Sequence, residues 1–298
     1  MLVTLASTGV LRGLQNTKTP LLVSVGTFAL NAVLNATFVF GFGWGIAGSA
    51  WGTVLAQTTG GSLYITTVLR MARRYGASLR PDGGGLRAAS TAGVNLIIRT
   101  MMLRVVVVVA AVVATRMGDA EIAAHQVAFQ VWWLLALALD AIAIAAQAIT
   151  GRYLGAGDAA NTRTITWRMT QWGVAAGVIF ALLLLAVRPW LPSLFSVDPA
   201  VRSLLLGTLI VVALLQPIAG PVFVLDGVLI GAGDMRFLAI AGMTTAAVFL
   251  PAAGMVHAIG GGLVALWIAI GLWVLTRLVA LVWRAHSDAW LVTGAVQH

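Results

Sequence analysis

The sequence predicts an all-α polytopic membrane protein with eight transmembrane helices, and three observations predict it. Of its 298 residues, 60% are hydrophobic and only 9% carry a charge, against about 25% in an ordinary soluble domain. The apolar residues are gathered into runs long enough to cross a bilayer, which takes about 20 residues. The basic residues are distributed unevenly between the loops that join those runs. A soluble enzyme, a disordered chain and a disulfide scaffold are excluded. Cysteine is absent, which removes thiolate metal sites and thiol nucleophiles as well.

The runs, in order, are Pro20–Phe42, Ile46–Leu69, Val94–Thr115, Ile122–Ile149, Trp167–Val187, Leu204–Ile230, Phe237–Val256 and Leu263–Trp283. Each reads as a helix, because a helix satisfies its own backbone in lipid and none of the runs alternates like a barrel strand. Thr19 is placed to cap the first, with Pro20 at its first position. Gly43-Trp44-Gly45 reads as a hairpin turn between the first two.

Placed on this topology, 15 of the 18 Lys and Arg fall on one side and 3 on the other, the minority being Arg116, Arg188 and Arg202. The positive-inside rule makes the first side cytoplasmic, with both termini there. The net charge of +9 is therefore an orientation signal and not a mark of nucleic-acid binding. The location that follows is the cytoplasmic membrane, multi-pass.

Val10–Lys18 recurs as Val228–Arg236 at an offset of 218 residues. Both copies leave a helix, turn through Gly, present Asn or Asp and a base, and enter the next span. The helix pairs that follow are joined by the glycine turns Gly43–Gly45 and Gly260–Gly262. Both copies lie on the cytoplasmic side, so the repeat is parallel, about an axis along the membrane normal. The cytoplasmic linker at 80–86 carries Gly83-Gly84-Gly85. If a second repeat starts near Leu86, the offset places the start of the first roughly 130 residues before Met1, room for about four more helices.

Several motifs resemble one family. Arg12–Pro20, then Asn31 and Asn35, then Phe40–Ala50 are similar to the fifth and sixth helices of the multidrug and toxic compound extrusion (MATE) family. Ala123-Ala124-His125-Gln126-Val127 resembles its seventh-to-eighth helix corner. Asp140 with Gln147, Gly151-Arg152, Gly155–Asp158 and Asp226–Asp234 resemble the DinF-like branch. The resemblance implies two six-helix lobes and export of small organic, often cationic, substrates driven by a proton or sodium gradient. It implies a coupling ion and no other cofactor. It assigns residues 1–79 to the last two helices of an N-lobe and 87–298 to a complete C-lobe. The acidic site on the family's first helix has no counterpart in this chain.

An ionisable residue at membrane depth is costly and marks a candidate site. Arg99, Arg104, Asp140 and Asp226 stand out. On the fourth span Gln126, Gln130, Trp133, Leu137, Asp140, Ile144 and Gln147 follow three- and four-residue steps and share one helical face. That face suits a polar cavity. Asp140 lies roughly 15 Å deep, either as a coupling or substrate-cation site or as half of an ion pair locking two helices. Arg104 has similar depth, and one of the two arginines is expected to approach Asp140 or Asp226. Asp226 shares a face with Gln216 and Phe223 on a span interrupted by Pro217 and Pro221. That helix is either a moving part or a static kink, and Asp226 either faces the cavity or anchors the adjoining loop. Asn31 and Asn35, one turn apart, either line a cavity or bond a neighbouring helix. His125 reads as a corner or capping group.

These residues leave two functions in play. The first is cation-coupled multidrug efflux by alternating access, from the whole assembly or lost in an inactive truncation product. The second is flipping of lipid-linked glycans, for which Arg99 and Arg104 should face the centre unpaired. A membrane enzyme would need a clustered catalytic or metal constellation, and the sequence offers none.

Overall fold

The computed structural model describes residues 2–14, 16, 18–76 and 82–293. Among these every regular element is a helix. The chain divides into two compact units, residues 1–82 and 83–298.

The N-terminal unit holds α1 (Leu2–Gly13), α2 (Lys18–Ala36, ending in a π-helical turn over Thr37–Gly41) and α3 (Gly45–Arg74). The start of α2 differs from expectation. The helix begins at Lys18, and it is the side chain of Asn16 that accepts from the Thr19 N–H, at 3.1 Å. Pro20 thus sits inside the first turn, where its missing N–H costs no helical bond. On α3 a stripe of Gly48, Gly52, Ala56, Gly60 and Tyr64 is buried. Those small residues bring the α2 and α3 backbones close, which is how helices gain contact where lipid removes the hydrophobic drive.

The C-terminal unit holds α4 (Gly83–Met117), α5 (Asp119–Gly155), α6 (Ala159–Val187), the short α7 (Leu191–Phe195), α8 (Pro199–Gly231), α9 (Met235–Ala258) and α10 (Leu263–His286). The glycine run predicted as linker is the first turn of α4, while Arg80 and Pro81 lie outside the described residues. Helix α8 is the axis of the unit, packed by α5, α6 and α10, with α4 and α9 paired beside it. Its start is well defined: Asp198 accepts from the Ala200 N–H at 2.8 Å and Pro199 takes the first position.

Close approach of backbones is what seats α8. A Cβ on Gly220 would run into the Gly173 carbonyl of α6. A Cβ on Gly227 or Gly231 would meet the Ala143 or Gln147 carbonyl of α5. Helix α8 runs unbroken through Pro217 and Pro221, and α6 comes closest to it at Gly220 and at Gln216–Pro217. α5, α6 and α8 therefore form one tightly joined layer.

The repeat is realised in backbone hydrogen bonds. Leu14 N–H donates to Val10 O and Asn16 N–H to Leu11 O. At the same offset Ala232 N–H donates to Val228 O and Asp234 N–H to Leu229 O. A third copy of the turn follows α5, where Ala156 N–H donates to Arg152 O and Asp158 N–H to Tyr153 O. Gly157 and Gly233 both stand at φ 78°, a conformation that favours glycine.

Among the described residues seven helices are long and apolar enough to span a membrane. The predicted second span, Ile46–Leu69, lies within α3, which has 30 residues but is too rich in Gly, Ser and Thr to qualify by composition. Its hydroxyls are quieted within the helix: Thr53, Thr58, Thr59, Ser62 and Thr67 each donate to the carbonyl four residues back.

Candidate functional site: an ion cluster at a helical cavity

Three charged side chains from three helices meet inside the C-terminal unit. Asp226 of α8 accepts at Oδ2 from an Nη2 of Arg99 on α4, at 2.7 Å, and from an Nη2 of Arg277 on α10. Their side-chain exposures are 11%, 16% and 13%. Each charge is too buried to stand alone in an apolar bundle, and the pairing offsets part of its lost hydration. Arg277 also lies over the ring of Trp273, with 5.2 Å to the centroid.

The cluster borders a cavity of about 210 Å³ walled by α4, α5, α8 and α10. From α5 come Trp132, Trp133, Asp140, Ile144 and Gln147. From α8 come Phe223 and Asp226, and from α10 come Trp267, Trp273 and Arg277. The same three charged residues border a much smaller void of about 10 Å³ on the side of α9. The cluster is thus a partition between two spaces.

Of the residues singled out in the sequence, Arg99, Trp133, Asp140, Ile144, Gln147, Phe223 and Asp226 share this cavity. The others do not line it. Arg104 is exposed elsewhere on α4, and Gln126 and Gln130 are exposed on α5, so the predicted stripe drifts off the cavity wall towards the start of α5. Gln216 is buried away from the cavity, and its Nε2 donates to Val212 O at 3.2 Å. Asn31 and Asn35 belong to the other unit: Asn35 Nδ2 donates to Asn31 Oδ1, and Asn31 Nδ2 donates to Thr53 Oγ1 of α3.

Two readings are corrected. Asp226 does not anchor a loop; that part falls to Asp234, whose Oδ2 accepts from Arg284 Nε at 2.6 Å. His125 is no cap. It is 3% exposed, with its ring 6.0 Å from Phe129 and 5.8 Å from Trp267. One of the two arginines does approach an expected carboxylate: Arg99 is bonded to Asp226, while Arg104 is off the cavity, so the unpaired pair that glycan flipping calls for is not what faces the centre.

Arg277 was read from the sequence only as one of the charges near the cytoplasmic side. A depth comparison would have found it. It stands nine residues before the end of α10, and Asp226 stands five before the end of α8. Both helices end on the same side, so the two lie within a turn or so of the same level.

Comparison with known proteins places this geometry in context. The MatE family model matches residues 91–255. The chain is 32% identical to the chloroplastic Protein DETOXIFICATION 44 of Arabidopsis thaliana, over 95% of this chain and 54% of that protein. It is 27% identical to the DNA damage-inducible protein F of Escherichia coli, over 93% and 61% respectively. The fold is similar to a crystal structure of the Vibrio cholerae MATE transporter VcmN in the bent form, with a TM-score of 0.84 and 21% identity over 95% of this chain and 65% of that one. The chain spans about half the length of the plant relatives it matches.

Proposed function

This chain belongs to the MATE family of membrane transporters, and from that premise we propose that it serves the efflux of small organic molecules across the cytoplasmic membrane by alternating access. The observation that carries the reading is the cavity of the C-terminal unit. It lies among helices long and apolar enough to cross a membrane, is mostly apolar and aromatic, and holds a few placed charges. Substrate enters from one side and leaves from the other as the walls rearrange.

The energy source in this reading is a proton or sodium gradient. Asp140 is the carboxylate proposed to couple to it, because it lines the cavity from α5 within a membrane-length apolar helix. Binding or losing a cation there changes the charge of the wall, which biases one conformation over the other. Residues 1–79 and 87–298 are read as parts of two lobes, with both termini cytoplasmic; the 15-to-3 placement of basic residues supports that orientation.

The test is dye efflux from a drug-sensitive bacterial host expressing the chain. Efflux abolished by collapsing the proton or sodium gradient supports the reading. Efflux by the Asp140→Asn variant at the wild-type rate removes Asp140 from coupling.

A further inference from the structure

Past the end of α10 at His286 the chain folds back on the C-terminal unit as a short strap, residues 287–292. Trp290 in the strap is 1% exposed and belongs to the core of the unit, with Leu291 packed against that core. The Trp290 indole N–H donates to Ala285 O at 3.2 Å, so its large apolar ring is buried with its only polar atom satisfied. The strap's own bonds shape it: Ser287 Oγ donates to Arg284 O, Leu291 N–H to Asp288 O and Val292 N–H to Trp290 O. Contacts run outward from this anchored turn in two directions. Asp288 pairs with Arg163 near the start of α6, and the His286 ring lies 4.5 Å from that of Trp167 on the same helix. On the other side Arg284 holds Asp234 in the turn between α8 and α9, and its guanidinium lies 5.1 Å over the Phe237 ring of α9.

The body of α10 is seated differently from α5 and α6. Those two helices meet α8 backbone to backbone, whereas a Cβ on Gly271 of α10 would touch the Leu215 side chain of α8, and one on Gly207 of α8 the Val264 side chain of α10. Side chains turn aside where backbones cannot, so α10 is the less firmly held wall of the cavity, and its end is fixed by the strap. We propose that the strap is a latch. Docked, with Trp290 in the core, it holds the end of α10 to the start of α6 and to the α8–α9 turn. Released, it lets that end of α10 move and widens the way to the cavity. The pair between Arg163 and Asp288 is exposed and contributes little strength by itself; it guides the strap to its seat, and the buried indole supplies the hold. The latch rests on the alternating-access reading only for its effect on efflux.

The experiment reads the full chain in detergent by amide hydrogen exchange and by thiol labelling. The chain has no cysteine, so an introduced thiol reports alone. Trp290→Ala should speed exchange at least about tenfold at the amides of Thr162 and Asp234, because losing a buried tryptophan loosens what it holds. Those amides donate to Asp158 O and Leu229 O, in the two elements that the strap joins to α10. In an Ile144→Cys background, at a position that lines the cavity, the same change should speed labelling by a polar thiol reagent several-fold. Faster exchange confined to residues 287–292 overturns the latch, since Trp290 then packs only its own segment; unchanged labelling overturns it as well. Should Trp290→Ala not fold, Trp290→Phe removes the indole donor and part of the ring, and should give the same pattern at smaller size. The converse arm joins Arg163→Cys to Asp288→Cys with a short, reducible thiol cross-linker. Formed cross-links should cut dye efflux, and reductant should restore it. Efflux undiminished by a formed cross-link sinks the latch and leaves the efflux reading standing. Absence of efflux from wild type sinks the efflux reading, while the exchange pattern still decides the latch.

Discussion

Between α2 and α3 the polar contacts are neutral. Asn31 reaches Thr53, and the Tyr64 hydroxyl donates to Pro20 O at 2.9 Å while sharing a hydrogen bond with Ser24. Among α4, α8 and α10 the central polar contact is ionic, with two guanidiniums on one carboxylate oxygen. The glycine contacts differ in parallel. In the N-terminal unit a Cβ on Gly60 would meet the Thr27 side chain, which can rotate, whereas in the C-terminal unit a Cβ on Gly220 would meet backbone. At Gly60 the neutral unit has slack, although a Cβ on Gly48 would meet the Phe38 backbone; at Gly220 the ionic unit has little. A neutral group that loses its partner finds another nearby, but a buried charge cannot, and a helix backbone cannot step aside without moving its whole layer.

Four changes test this contrast, from the largest expected effect downward. Gly220→Ala should abolish recovery of folded protein or lower the melting temperature by many degrees, because α6 and α8 must separate; Gly60→Ala should be far milder, and equal effects in thermal melts would break the comparison. Asp226→Ala should cost about 3–5 kcal/mol by leaving two buried arginines uncompensated. Chemical unfolding in detergent measures it, and a loss near zero would mean that the cluster is solvated. Asn31→Ala should cost only about 1 kcal/mol, the usual worth of an interhelical hydrogen bond, in the same measurement.

The smallest effect is expected at Asp158, the exposed cap of α6. Its carboxyl is held below the ordinary carboxylate range by the Asn161 backbone N–H and side-chain amide. The folded state thus prefers the charged form. Its contribution is present above the unfolded value of about 3.9 and fades as pH falls through the lower folded value. Wild type should melt slightly above Asp158→Ala at neutral pH, and the gap should close in acid; a gap that widens in acid contradicts the cap.

Particular residues show how far the sequence reached. The face bearing Trp133, Asp140 and Gln147 was legible because a helix repeats its faces every three or four residues. The same logic failed at Gln126 and Gln130, where periodicity continued but the cavity did not. Arg99 was visible as an intramembrane charge with Asp140 or Asp226 as its expected partner, yet the choice between them was not, since pairing depends on which helices cross at that depth. Arg277 was in plain sight as one base among many, and only the crossing of α10 over α8 makes it part of the cluster.

By itself the sequence determined that this chain crosses a membrane repeatedly and that one turn recurs. Composition, charge and local spacing are properties of the chain that survive any packing. Only the tertiary structure decided that Asp226 binds two arginines instead of a loop, that α5, α6 and α8 close into one layer through glycine, and which polar residues share a cavity. Those outcomes hinge on which backbones can approach within a Cβ of each other, and no single helix carries that information.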